Sequence, residues 1–250
     1  MSDTAGRSSV RTLSSLVVGI DFGTTYSGIA FLHTLNSSVK DAPDEIDVNK
    51  IAENIKVIKE WPDATGAHQE KIPTILAYPK NANAPVWGAR VRASMKPRIE
   101  FFKLGLEPKA ATFYGFLEGF QSTTPFGTHP ALPGKGPVDF VADYLQGLFK
   151  FLQESYLRGA FADVFLQSQT VSYILTVPAI WTDAAKSLTR QAAVRAGIPD
   201  DKIMLVTEPE AAAFYCATQG TTVDLADGED FLVCDAGGGT VVCVLFTTHS

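Results

Sequence analysis

The sequence has no apolar run near the ~20 residues that a bilayer-spanning helix needs. It has no dense block of lysine or arginine. With 21 basic against 27 acidic residues its net charge is −6, which makes nucleic acid and anionic membranes poor partners. Neither common phosphate-loop signature, G-x-x-x-x-G-K-[ST] or G-x-G-x-x-G, occurs. Cysteine is scarce. Cys216, Cys234 and Cys243 are odd in number and lie in apolar settings, which argues against a disulfide framework or a zinc site and for a reducing compartment, cytosol or nucleus. The first sixteen residues, MSDTAGRSSVRTLSSL, lack the apolar centre of a signal peptide, and Asp3 is out of keeping with a transit peptide. A disordered tail over 1–15 is expected.

Against these absences stands an apolar content ample for a core. Residues 17–31 read as strand, turn, strand. "IKVIKEW", "KIPTILAYP" and "PVWGARVRA", the last with a turn at Gly88, carry short β-type runs. Residues 105–137, rich in Gly and Pro, read as loops and short elements. From residue 137, Phe140, Val141, Tyr144, Leu145, Leu148, Phe149 and Leu152 recur at three- and four-residue steps, which predicts an amphipathic helix. "TVSYILTVP" predicts a buried strand ended by Pro178. "TDAAKSLTRQAAVRAGI" predicts a helix capped by Thr182 or Asp183 and ended by Gly197. "IMLVTEPEAAAFYCATQG" reads as strand, short turn, helix, with Pro209 in the first helical turn. "GEDFLVCDAGGGTVVCVLF" is strand, Gly-rich bend, strand. Strands alternating with helices predict an α/β sheet.

Two of these stretches repeat one device. "VVGIDFGTTYSGIAF" and "FLVCDAGGGTVVCVLF" each run from an apolar strand through Asp, one residue and Gly to a small cluster ending in Thr, then a second apolar strand. Asp21 pairs with Asp235, Gly23 with Gly237, and Thr25 with Thr240. A single such bend is an ordinary turn. Two copies this far apart predict two related lobes across a cleft. Glycines without Cβ let backbone N–H groups approach a phosphate, and threonine hydroxyls add donors. The carboxylates are repelled by phosphate and suit a hydrated Mg²⁺ instead.

The two hairpins resemble the phosphate loops of the actin-like ATPases, and four ordered motifs resemble the heat-shock 70-kDa chaperone branch: "GIDFGTTYSGIAF", "ILTVPAIWTDAAKSLTRQAAVRAGI", "LVTEPEAAAFYC" and "CDAGGGT". "KIPTILAYP" followed by "WGARV" resembles the divergent eukaryotic branch that lacks the standard peptide-binding domain. The resemblance runs from about residue 16 to the end. It implies an α/β fold of ribonuclease H-like, actin-like lobes, ATP and Mg²⁺ as ligands, ATP hydrolysis, and client proteins and co-chaperones as partners. It implies that Gly23, Thr24, Thr25 and Tyr26 line the β- and γ-phosphates, and that Gly237, Gly238, Gly239 and Thr240 contact them from the facing lobe. Asp21 and Asp235 would hold the Mg²⁺ water shell. Lys103 takes the catalytic lysine's place, with Lys96 as the other candidate. An ammonium there orients the attacking water and offsets γ-phosphate charge. Glu208 resembles the glutamate that links metal-bound water to lobe movement, and Asp235 joins it as a catalytic residue. Pro178 matches a relay proline and equally a simple strand end. Glu210 is explained by the helix dipole alone.

Two departures accompany the resemblance. Val242 stands where the chaperones have an aspartate near the phosphates. The chain stops soon after the second hairpin, so lobe IA (16–59 and 136–221) with its insertion lobe IB (60–135) is expected to be nearly complete and lobe IIA (from 222) truncated. The first functional reading is therefore an ATP-hydrolysing domain that closes around Mg·ATP. The alternative is a non-catalytic nucleotide-binding or regulatory module. A small-molecule kinase of the same fold is disfavoured by the T-E-P-E-A-A-A and V-P-A-I-W matches.

Overall fold

The computed structural model of the chain describes residues 14–35, 53–64, 69–107, 131–218, 228–237 and 241–247. The chain runs from β1 (Ser14–Phe22) and β2 (Tyr26–Leu35) through four two- or three-residue strands, β3 (Lys56–Val57), β4 (Ile72–Pro73), β5 (Ile75–Ala77) and β6 (Val86–Trp87), to β7 (Arg98–Glu100). Helix α1 (Pro137–Lys150) and α2 (Asp163–Ser168) precede β8 (Thr170–Val177). Then come α3 (Asp183–Arg195), β9 (Ile203–Thr207), α4 (Glu208–Thr218), β10 (Asp230–Ala236) and β11 (Val241–Thr247). β1 begins at Ser14, so the end of the expected tail lies within a strand, and residues 1–13 are outside the described residues.

The arrangement is mixed α/β. The main sheet has the order β3-β2-β1-β8-β9, with β4 also paired to β2. β1 is antiparallel to β2 and parallel to β8, which is in turn parallel to β9. Period-2 alternation along β1 buries Leu16, Val18, Ile20 and Phe22 and leaves Val17, Gly19 and Asp21 partly open on the other face. The buried face meets α1, whose predicted stripe is fully buried at Phe140, Val141, Tyr144 and Leu148. Phe22 and Tyr144 lie 6.0 Å apart, and Phe149 and Tyr173 5.5 Å. α3 packs beside α1 through small residues, Ala185, Ala192 and Ala193, which let the helices approach closely.

The predicted α1 helix changes pitch at its end. Phe151–Leu157 is a π-helical segment, and Leu152 and Leu157, five residues apart, are both buried. The wider turn keeps the apolar side chains on the core where a 3.6-residue period would rotate them away. Thr182 is the cap of α3. Its hydroxyl accepts from the Ala185 N–H and donates to the buried Glu107 carboxylate at 2.7 Å. Gly197, with φ +102°, follows that helix's end.

"KIPTILAYP" is two strands. Thr74 bonds through its N–H to the Thr25 carbonyl, and its hydroxyl meets that of Ser27 at 2.8 Å. There the chain leaves the main sheet, and β5 joins a small antiparallel sheet of order β6-β5-β7. Most of the loop expected over 105–137 lies outside the described residues, though Phe102–Leu106 is a 3₁₀ turn and α1 starts at Pro137.

The cysteine reading needs correction. β10 and β11 pair antiparallel with Cys234 opposite Cys243, and the two are joined as a disulfide with Cα atoms 4.4 Å apart. The nine-residue separation does not show this contact; the hairpin register creates it. Cysteine usage therefore gives no argument for a reducing compartment. Among the described residues no helix is long and apolar enough to cross a membrane.

Candidate functional site

The parallel strands β1, β8 and β9 bring their carboxyl ends to one edge of the main sheet, the edge where open α/β sheets place their ligands. Asp21 and Phe22 end β1, Thr176 and Pro178 mark the end of β8, and Glu208 follows β9. The turn after β1 needs its glycine: a Cβ on Gly23 would lie 2.1 Å from the Tyr26 carbonyl oxygen. Thr24 and Thr25 are half-buried in that turn, and Tyr26 is exposed at the start of β2.

Lys103 is 1% exposed. It enters the core from the 3₁₀ turn Phe102–Leu106, which follows Phe101 in the left-handed region at φ 58°. A bulky residue seldom adopts that conformation. Lys103 Nζ donates to the Phe22 main-chain carbonyl and to Glu208 Oε1 at 2.6 Å, and it lies over the Phe22 and Trp181 rings. A buried ion pair is costly unless hydrogen bonds complete it, and the Phe22 carbonyl does so. Lys96, the other candidate, is exposed before β7.

Glu208 is the first residue of α4. Strand β9 runs directly into that helix, without the expected turn, because Thr207 caps it. The Thr207 hydroxyl donates to Glu210 Oε2 at 2.7 Å, and the Thr207 N–H donates to the same oxygen at 2.9 Å. T-x-x-E is a capping-box pattern, so Glu210 has a specific role beyond the dipole. These bonds hold its carboxyl below the usual carboxylate range. Pro178 is buried after β8 and its carbonyl accepts from the Trp181 N–H.

Asp21 does not stand open. Its Oδ2 accepts from Lys71 Nζ at 2.7 Å and its Oδ1 from the Thr176 hydroxyl at 3.1 Å. Lys71 and Thr176 were not legible as site residues, because only strand register brings them to Asp21. Partial burial pulls the Lys71 pKa down, but the hydrogen bond and charge of Asp21, followed by the charges of Asp235 and Glu208, outweigh it and hold the pKa above the usual lysine range. The carboxylates of β1, β10 and α4 thus share one electrostatic neighbourhood. Asp235 is half-buried in β10 opposite Val242, and Gly237 is exposed just after that strand. Gly238, Gly239 and Thr240 lie outside the described residues.

Among the described residues no group of three or more His, Cys, Asp or Glu side chains could hold a metal ion. Asp21 already accepts from Lys71 and Thr176, so an ammonium stands where the hydrated Mg²⁺ expected on Asp21 would lie.

No protein-family model matches the chain. Curated proteins do. The heat shock 70 kDa protein 12A of Homo sapiens is 27% identical over 228 residues, covering 86% of this chain and 30% of that protein. The human heat shock 70 kDa protein 12B is 29% identical over 215 residues, 81% of this chain and 28% of its own. The chaperone protein HscA homolog of Acinetobacter baumannii is 27% identical over 237 residues, 94% of this chain and 33% of its own. The chain spans about a third of the length of the curated relatives it matches. Over most of its length, then, the chain is similar to heat-shock 70-kDa proteins and to a chaperone HscA homolog.

Proposed function

We propose that the chain forms part of a nucleotide-binding, ATP-hydrolysing domain of a chaperone-like protein with actin-like lobes. One lobe is 16–59 with 136–221, the insertion lobe is 60–135, and the segment from 222 contributes to the facing lobe. ATP phosphates lie between the turn at Gly23–Tyr26 and the bend at Gly237–Thr240. The observation that carries this reading is Lys103: a buried ammonium held between the Phe22 carbonyl and Glu208, at the carboxyl ends of two parallel strands.

The chemistry follows from that placement. The N–H groups of the turn around Gly23 and the Lys103 ammonium offset charge that develops on a γ-phosphate. Glu208 bonds Lys103 through Oε1 and has Oε2 to accept a proton from a water beside the pair, whose oxygen attacks the γ-phosphorus as ADP leaves. Asp235 faces the same region from the second hairpin. Because Glu208 heads α4 and α4 packs against β10 and β11, occupancy of the site alters the position of the second hairpin, which is the route to lobe closure. Client proteins and co-chaperones belong to the same proposal by family resemblance.

Phosphate release from ATP by the full chain, with and without Lys103→Met, tests it. The variant is expected to lose more than about tenfold of turnover, a loss of transition-state interaction, while retaining ATP binding. No ATP binding by the unaltered chain, or turnover indifferent to Lys103→Met and to Glu208→Gln, would defeat the reading.

A further inference from the structure

Lys71 stands at the cleft without a place in the machinery just described. Its contact with Asp21 is built by strand register. Asp21 faces Gly28 across β1 and β2. One step beyond the Ser27↔Ile72 pair of β2 and β4, Gly28 comes opposite Lys71. Asp21, Gly28 and Lys71 thus form one row across adjacent strands, and the middle position carries no side chain. A Cβ at Gly28 would approach Lys71 Cγ to 3.5 Å and the Glu70 carbonyl oxygen to 3.2 Å. Glycine leaves the lysine stem a clear path over β2 to the carboxylate. The ion pair has little value as a stability device: the Lys71 side chain is 57% exposed and that of Asp21 39%, and pairs in water contribute little. Its value lies in where the charge sits. Three carboxylates, from Asp21, Asp235 and Glu208, act on this ammonium. Val242, buried opposite Asp235, offers no further carboxylate to hold a cation.

We propose that Lys71 is a tethered cation for nucleotide phosphates: its ammonium fills the position at Asp21 that a hydrated divalent ion would otherwise take, so the site binds nucleoside polyphosphate with little dependence on Mg²⁺. The proposal rests on the nucleotide-binding reading. A lysine has the reach and donors for the task, a flexible four-carbon stem and three N–H groups that turn from a carboxylate to phosphate oxygens. Without it, Asp21 would present an unbalanced negative charge to the phosphates.

Equilibrium binding of ATP to the full chain, in excess Mg²⁺ and in EDTA, is the test. The unaltered chain is expected to bind within about threefold in the two buffers, while Lys71→Met loses about tenfold or more in EDTA and recovers with Mg²⁺. Lys71→Arg is expected to keep its binding in EDTA. A second readout needs no nucleotide: Mn²⁺ titrated by electron paramagnetic resonance is expected to bind Lys71→Met more tightly than the unaltered chain, because Asp21 is released. Far-UV circular dichroism of the variant checks its fold. An unaltered chain that binds ATP in Mg²⁺ but loses it in EDTA would overturn the role of Lys71 and leave the nucleotide reading intact. No ATP binding in either buffer would defeat both.

Discussion

The two hairpins share a local sequence and differ in what surrounds them. In each, a strand reaches Asp, one residue and Gly at its end: Asp21 and Gly23 in one, Asp235 and Gly237 in the other. β1 has a strand on both sides and α1 beneath, so its alternate residues vanish from solvent. Among the described residues, β10 and β11 pair as strands only with each other. One face, with Val242 and the half-buried Phe231 and Val244, is sheltered beside α4, while Leu232, Val241 and Leu245 stand exposed with the Cys234–Cys243 bridge between them. The same pattern produces the same ladder twice. Burial comes from the partners, and an isolated hairpin is marginal without them.

The largest test of that contrast is a pair of truncations. Ile20→Ala in β1 is expected to cost about 3–4 kcal/mol in chemical denaturation. Leu232→Ala in β10, at a position 61% exposed, is expected to cost under about 0.5 kcal/mol. Equal losses would mean that the hairpins are equally well held. Next is Gly23→Ala, where the collision with the Tyr26 carbonyl forces the first turn to move. About 2 kcal/mol of stability should be lost together with ATP affinity; an unchanged affinity would remove this turn from the site. The smallest concerns α4, the helix that shelters the second hairpin. Glu210→Gln keeps an acceptor for the Thr207 cap but loses its charge, weakening the cap by about 0.5 kcal/mol at neutral pH. Since the Glu210 carboxyl is depressed in the folded chain, its contribution is complete above the unfolded carboxylate pKa and fades as pH falls through the folded one. Denaturation in acid should therefore bring variant and unaltered chain together, and a constant gap would assign the loss to something other than charge.

Much of the fold was legible because it is local. The α1 stripe, the β8 run before Pro178, the Thr182 cap and both Asp-x-Gly hairpins each follow from patterns within a dozen residues. Of the residues gathered at the carboxyl ends of β1, β8 and β9, Asp21 and Gly23 stood out through the repeated hairpin, while Glu208 and Lys103 were named by resemblance alone. What stayed hidden depends on distant pairing. Lys71 reaches Asp21 only because β4 docks on β2 and β2 on β1, with Gly28 between. Thr176 reaches it through the β1–β8 register. The Cys234–Cys243 bridge arises from a hairpin register, and the π-helical end of α1 from the core it must follow. Gly28, inside an apolar strand, was the one signal for a close approach that could have been read in advance.

The contact between Lys103 and Glu208 makes α4 a lever. Its pivot is the first residue of the helix, clamped to a buried ammonium, and its shaft lies against β10 and β11. Eleven helical residues form a rod of about 16 Å, so a tilt of about 10° at the pivot carries the far end by about 3 Å. A ligand that draws the Lys103 ammonium aside by a fraction of that distance loads the pivot directly. The weakly sheltered β10 and β11 therefore lie along the arm, where a small force at the cleft becomes a larger displacement.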